Sequence, residues 1–197
     1  MRPKFKENVT LNVNCTYGHG EPLGSLRYQF HPGTMYALTG PNGSGKSTLL
    51  ATIAGELAPL DGEVLYDATP TSTGTTGVSL IAESVFFPDL TVGEHLDLLK
   101  LRRENIVEPW ALSNILNAPL WALSSGQRQR AYLGMQLGAH AEVLLIDEPE
   151  RHLDSDWTDF LIEHLRYLGE QGVCVLVATH SPRVMEGCDE VLRLGEE

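Results

Sequence analysis

The segment Gly40–Thr48 has the residue types and the spacing to hold phosphate groups. It reads GPNGSGKST, in which Gly40 is followed after four residues by Gly45-Lys46-Ser47, the pattern of a P-loop. Apolar residues precede it and a helix can begin after it, which gives the strand–loop–helix context that a P-loop needs. Its glycines allow a tight turn whose backbone N–H groups face phosphate oxygens. The sequence therefore predicts a nucleoside triphosphate site whose contacts are Gly40, Pro41, Asn42, Gly43, Ser44, Gly45, Lys46, Ser47 and Thr48.

Two carboxylates follow a second apolar run. Val143–Ile146 is continuously apolar and ends in Asp147-Glu148, which is typical of a parallel strand covered on both faces. Ligands bind at the carboxyl ends of such strands in open α/β sheets. Asp147 is expected to hold Mg²⁺ across from the Ser47 hydroxyl, and Glu148 to position or polarise the attacking water.

The composition is that of an acidic globular chain. Its 197 residues are 42% hydrophobic and 20% charged, with a formal net charge of −12. The length suits one domain with a sizeable core. An acidic chain is a poor partner for phosphate backbones, so no nucleic acid is expected as a ligand. Three cysteines, an odd number spaced unlike a metal site, suit a reducing cytosol and a place in the core.

The start of the chain carries basic charge without an apolar stretch behind it, which does not fit a secretory signal. No apolar run approaches the length that spans a bilayer. If the protein works at a membrane, another chain is expected to supply the spanning part.

Apolar periodicity indicates how the chain divides into elements. Alternation over residues 9–17 and again over 26–30 predicts two half-buried strands ahead of the P-loop strand. Further strands alternate with helices after the P-loop. The predicted fold is α/β, a P-loop NTPase core with an N-terminal antiparallel β subdomain and a short helical subdomain.

The short helical subdomain is predicted from capping signals. Thr91 stands three residues before Glu94, the spacing of a capping box, and a stripe of Leu96, Leu98, Leu99 and Leu101 follows. A second helix is expected from Pro109 through Leu116. Ser124 and Gln127 repeat the capping-box spacing and begin a third helix.

The order of these motifs resembles that of the ATP-binding-cassette (ABC) family of ATPases over nearly the full chain. Leu123–Gln127, LSSGQ, looks like the family's signature, and Val143–Pro149 looks like its Walker B segment. Leu153-Asp154 looks like the D-loop, and His180 looks like the switch histidine. Tyr17 falls where the family keeps an aromatic that stacks on the base. Together these motifs are far more specific than a P-loop alone.

The resemblance implies a mechanism with ATP and Mg²⁺. Two cassettes, most simply two copies of this chain, face each other head to tail with each ATP between one P-loop and the other signature. Ser124 and Gly126 would reach the γ-phosphate across that interface, and His180 would contact it beside Glu148. The whole signature is counted as nucleotide-binding: Ser124, Ser125, Gly126 and Gln127.

Two positions depart from the family pattern. Ala82 stands where the family has a glutamine, with Glu83 next to it. Either Glu83 takes part of the glutamine's role by a shift of one residue, or the coupling of Mg²⁺ and water to a partner is altered. Ser125 replaces the first signature glycine, which makes close approach to phosphate less easy.

The resemblance implies that the chain is one ABC ATPase domain over residues 1–197, with residues of about 90–139 as the helical subdomain. It is expected to be the ATPase subunit of a transporter, more specifically an exporter, because it is compact and lacks a regulatory extension. It would sit in the cytoplasm on the inner face of the membrane through a separate permease. Phe86, Phe87 and Leu90 are the expected contacts with that permease, and the alternative is that they are core residues.

Two alternatives remain at this point. Soluble ABC-type ATPases act on DNA ends or ribosomes, and the run Glu150-Arg151-His152 before the D-loop is not the commonest transporter form. The net charge, the single cassette and the lack of a coiled-coil insertion oppose that alternative. An ordinary P-loop kinase would leave Leu123–Gln127 and His180 unexplained.

Overall fold

The longest apolar runs of the chain form the centre of a parallel sheet. The computed structural model describes residues 10–67, 77–82, 86–139 and 141–195. Five parallel strands lie in the order β5-β6-β7-β3-β8, with the bounds β3 (Met35–Thr39), β5 (Val78–Ile81), β6 (Val143–Asp147), β7 (Cys174–Ala178) and β8 (Glu190–Arg193). β7, between β6 and β3, is buried over its whole length. Continuous burial on both faces is what a parallel strand between two layers requires.

The predicted antiparallel subdomain is confirmed. It is a three-stranded sheet in the order β2-β1-β4, with the bounds β1 (Thr10–Gly18), β2 (Pro22–Phe30) and β4 (Asp61–Asp67). The alternating side chains of β1 enter one core together with side chains of the first helix: Leu11, Val13, Cys15, Tyr17, Leu49, Leu50 and Ile53. This core ties the small sheet to the P-loop helix.

The described residues contain five α-helices beside the two sheets. Their bounds are α1 (Lys46–Ala54), α2 (Val92–Leu98), α3 (Ser125–Leu137), α4 (Ser155–Glu170) and α5 (Pro182–Gly187). Both predicted capping boxes are present, at Thr91 for α2 and at Ser124 for α3. Ser181 caps α5, with Pro182 in its first turn. In the described parts of the chain, no helix combines the length and the apolar character needed to cross a bilayer.

The helical subdomain differs from its prediction in two ways. The expected helix from Pro109 to Leu116 is wrong, because Ala111 has a left-handed backbone (φ 49°) and the segment forms only a 3₁₀ turn at Ser113–Ile115. The expected leucine stripe is also wrong in part. α2 has only seven residues, and Leu98 and Leu99 are 54% and 49% exposed.

The glycines at the start of the P-loop differ in what surrounds them. Gly40 (φ 149°) lies against the end of β8, where an added Cβ would lie 2.4 Å from the Leu194 carbonyl oxygen. Gly43 (φ 83°) also has a positive φ, but an added Cβ there would meet nothing within 4 Å. Gly40 is therefore required by close backbone packing, and Gly43 only by its backbone angle.

We expect Gly40→Ala to lower the free energy of unfolding by about 3 kcal/mol, because β8 must shift to admit the methyl group. The control Gly43→Ala should cost only about 1 kcal/mol for its left-handed backbone. Urea unfolding of the two variants measures both values. Equal losses would contradict the packing of the P-loop against β8.

Candidate functional site

The register of the parallel sheet brings the predicted site residues to one edge. Asp147 pairs with Ala178, and Ala178 pairs with Leu38, so β6, β7 and β3 end side by side. Neighbouring strands lie about 4.8 Å apart, which separates the ends of β6 and β3 by about 10 Å. The P-loop leaves β3 at this edge, and His180 follows β7 there. A triphosphate lying along the edge would reach all three loops.

The P-loop is folded around its own lysine. Lys46 is 7% exposed, and its Nζ donates to the carbonyl oxygens of Gly40 at 3.0 Å and Pro41 at 3.2 Å. The Ser44 Oγ is buried without a hydrogen-bond partner among the described residues. A buried hydroxyl without a partner costs free energy, and a phosphate oxygen would supply an acceptor. The loop thus has a buried cation and a hydroxyl donor without a partner, both of which could bind an anion.

The start of α1 adds a second anion-binding feature. Gly45 is its N-cap in a left-handed conformation (φ 86°), and no side chain caps the first N–H groups. Uncapped N–H groups at a helix start favour an anion. Ser47 is exposed in this first turn, and the Asp147 side chain is half-buried at the end of β6. A hydroxyl and a carboxylate are oxygen donors of the kind Mg²⁺ takes.

Tyr17 is covered in this structure. It is 1% exposed, and its ring lies so close to Gly45 that an added Cβ there would be 2.7 Å from the Tyr17 Cε2. Gly24 on β2 packs against the Tyr17 hydroxyl in the same way. Burial raises the pKa of this hydroxyl. Stacking on a base needs an open ring face, so this role stays a prediction that requires the β1–β2 hairpin to move.

The two predicted catalytic residues lie together. Glu148 has a left-handed backbone (φ 44°), and its N–H donates to the Ala178 carbonyl oxygen at 2.9 Å. The Glu148 Oε1 lies 3.5 Å from the His180 Nε2. Glu148 is thus held at the sheet edge in a conformation that most residues avoid, which is common at functional sites.

Arg151 is a neighbour of this pair that the sequence prediction missed. Its Nη2 lies 3.5 Å from the Glu148 Oε2, and its backbone N–H donates to the Glu148 carbonyl oxygen at 3.1 Å. The guanidinium is largely exposed, so water screens the ion pair. The sequence signal that could have predicted this contact is an arginine three residues after the carboxylate, a spacing that one turn brings together. Arg151 therefore adds a cation beside the carboxylate.

The signature residues form the start of α3. Ser124 Oγ accepts from the Gln127 N–H at 3.2 Å, and Gln127 Oε1 accepts from the Ser124 N–H at 3.0 Å. An added Cβ on Gly126 would lie 3.1 Å from the His152 carbonyl oxygen. The signature therefore lies beside the loop after β6, with Ser124 and Ser125 exposed to solvent. Their nucleotide contacts stay predictions.

Two further predictions concern residues outside this cluster. Ala82 is exposed at the end of β5, and a methyl group cannot hold a metal or a water as a glutamine amide can. Glu83, which could take part of that role, lies outside the described residues. Cys174 is buried as predicted, Cys188 is only half-buried, and burial raises the pKa of both thiols to about 12. Such thiols are poor nucleophiles.

Comparison with known proteins gives a consistent family. A family model described as ABC transporter matches residues 23–151. A cytochrome c biogenesis ATP-binding export protein from Rhizobium johnstonii is 34% identical over 197 residues, which is 89% of this chain and 90% of that protein. The ABC transporter G family member 20 of Dictyostelium discoideum is 30% identical over 199 residues, or 93% of this chain. This chain spans only 27% of its length. The matched relatives include both export and import ATP-binding proteins.

Solved structures share the fold at lower identity. An ABC transporter ATP-binding protein from Pyrococcus furiosus has a TM-score of 0.77 and 22% identity, over 95% of this chain and 98% of that chain. Its likeness is to the α/β P-loop fold described above. The family model covers well over half of the chain and includes the P-loop, the signature and the Walker B segment. The chain therefore belongs to the ABC transporter family, as one of its ATP-binding ATPases.

Proposed function

We propose that this chain powers transport, more specifically export, through a separate membrane subunit by closing and opening as a head-to-tail pair with ATP. The observation that carries the proposal is the cluster at one sheet edge of an anion-binding P-loop with the Glu148–His180 pair. The Rhizobium johnstonii relative, which this chain covers over 90% of its length, is an export protein, and this supports the direction. The proposed unit is one ATPase domain over residues 1–197, at the inner face of the membrane.

Binding of the triphosphate would change the contacts of the P-loop. The Lys46 ammonium would exchange its two carbonyl acceptors for the more negative β- and γ-phosphates, and Ser44 would gain a partner for its buried hydroxyl. Charge-assisted bonds of this kind are stronger than bonds to neutral carbonyls. The chain would thus gain affinity without reorganising the sheet.

Mg²⁺, when bound, would neutralise charge on the β- and γ-phosphates. Ser47 and Asp147 would hold it, since both carry oxygen ligands at the loop ends of β3 and β6. Glu148, one residue further, would accept a hydrogen bond from the attacking water and orient it. The Glu148 carboxylate lies between the imidazole of His180 and the guanidinium of Arg151. These neighbours limit the directions in which it can point.

The second copy would complete the site through its signature. Ser124 and Gly126 lie at the start of α3, a helix of thirteen residues whose N-terminus favours the γ-phosphate. The capping box fixes the Ser124 side chain, so little conformational entropy is lost when the two copies close. Loss of the γ-phosphate would remove the bridge and open the pair.

The expected permease contacts fall into two groups. Phe86 packs edge-on against Tyr132 and His95, with ring centroids 5.5 and 5.7 Å apart, so it serves the fold. Phe87 is 61% exposed, and its backbone N–H donates to the His95 Nε2 at 3.1 Å. An exposed aromatic on an anchored loop is suited to a protein contact. We therefore assign the proposed docking to Phe87, with Leu90 beside it.

The alternative of a soluble ATPase on DNA or ribosomes loses its main support here. It was motivated by the Glu150-Arg151-His152 run. Arg151 contacts Glu148 and Glu150 accepts a hydrogen bond from Thr179, so the run has a use inside the site. No separate nucleic-acid partner is needed to explain it.

We expect Glu148→Gln to slow ATP hydrolysis at least about 100-fold, since the amide is a poor base, while ATP still binds and holds a dimer. Turnover and light scattering with ATP measure the two effects. Glu163→Gln, an exposed glutamate on α4, is the matched control and should behave as wild type. Undiminished hydrolysis in Glu148→Gln would remove Glu148 from its role.

We expect the protein to copurify with a polytopic membrane protein from detergent-solubilised membranes. Phe87→Ser should reduce that recovery by about tenfold or more, as for an interface hot spot. Leu65→Ser, at a half-exposed leucine on β4, is the control. Recovery from the cytosol with ribosomes or DNA instead would overturn the transporter assignment.

A further inference from the structure

We infer that Glu150 and Thr179 form a latch that positions His180 on Glu148. The latch is the hydrogen bond that the Thr179 hydroxyl donates to the Glu150 Oε1. The inference rests on the proposed roles of Glu148 and His180, and it adds two positioning residues to that site. Neither residue needs to touch the nucleotide.

Thr179 is fixed from several sides. It is 0% exposed, and its N–H donates to the Leu38 carbonyl oxygen at 3.1 Å. Its hydroxyl also accepts from the Ser181 N–H at 2.9 Å while donating to Glu150. The residues directly before and after His180 are therefore held by one hydroxyl group. That anchoring fixes the backbone position from which the His180 side chain extends toward Glu148.

The latch extends the pairing of β6 with β7 beyond the sheet. Asp147 and Ala178 are the last paired residues of the two strands. The loops that follow are then joined by two side-chain contacts, Glu148 with His180 and Glu150 with Thr179. The buried contact is a direct hydrogen bond, whereas the catalytic contact is 3.5 Å long and more exposed. The Glu150–Thr179 hydrogen bond can therefore fix the distance between the Glu148 carboxylate and the His180 imidazole.

Folding stability alone does not explain a glutamate at position 150. Its Oε2 is buried and has no hydrogen-bond partner among the described residues. A buried acceptor without a partner is unfavourable, and such groups in folded proteins call for an explanation. The contact with Thr179 explains why a glutamate stands here. A side chain that reaches Thr179 from the loop after β6 must be long and must end in a hydrogen-bond acceptor.

Loss of the latch should reduce turnover without weakening ATP binding, because the P-loop makes none of these contacts. Thr179→Val removes the hydroxyl at nearly constant volume, and Thr179→Ser keeps it. We expect Thr179→Val to lower kcat by about tenfold or more, as for a small misplacement of a catalytic group, with little change in KM for ATP. Thr179→Ser should keep wild-type kcat.

Thr52→Val is the matched control. Thr52 is also buried, and its hydroxyl donates to the Thr48 carbonyl oxygen within α1. The Thr52→Val variant loses one buried hydroxyl, as Thr179→Val does, and should keep the wild-type kcat. Glu150→Ala should lower kcat as Thr179→Val does, and the double variant should be no slower than the slower single variant, because both changes break one bond.

A second readout needs no ATP. Carbethoxylation of His180 by diethyl pyrocarbonate, followed by peptide mass spectrometry, should be faster in Thr179→Val and Glu150→Ala, with exposed His19 as the internal reference. It should be unchanged in Thr179→Ser. This readout tests the latch even if Glu148→Gln shows that the proposed catalytic role is wrong. An unchanged His180 rate in Thr179→Val would overturn the latch. If Glu148→Gln is slow, an unchanged kcat in Thr179→Val, or losses that multiply in the double variant, would overturn it as well.

Discussion

The hydrogen-bonded register of three parallel strands is the constraint on which the rest of this structure depends. β6, β7 and β3 end at the same level, and the P-loop, the Asp147–Glu148 pair and His180 all lie at that edge. The sheet is rigid because its central strand is buried throughout. Loops that begin on such a frame start from fixed points, so a few side-chain contacts are enough to place their functional groups.

The site retains several features that folding alone would not favour. Glu148 and His152 have left-handed backbones, and Ser44 and Glu150 each bury a polar atom without a partner among the described residues. Strained backbone and unsatisfied buried groups each cost free energy. Both buried atoms lie in the P-loop and in the loop after β6, and that second loop also holds two of the four left-handed non-glycine residues in the described parts of the chain. Stability is thus lower where a ligand or a partner can restore it.

Much of this arrangement could be predicted from the sequence, because its signals are local. Continuous apolar runs predicted the buried strands, and the capping boxes at Thr91 and Ser124 predicted two helix starts correctly. The segment around Ala111 was predicted wrongly, since only tertiary packing of isolated apolar side chains decides its backbone. The contact of Glu150 with Thr179 was missed for a related reason. It joins residues 29 positions apart in the chain, and no local pattern marks that pairing.

The central claim is that the nucleotide held by one copy is closed over by the signature of another. Mixing two Glu148→Gln proteins, one carrying Asn42→Cys in the P-loop and one carrying Ser125→Cys in the signature, tests it most directly. A short bifunctional thiol reagent should link the two with ATP and Mg²⁺ and fail to link them without nucleotide. Equal linking with and without ATP, or none while ATP is bound, would contradict the account.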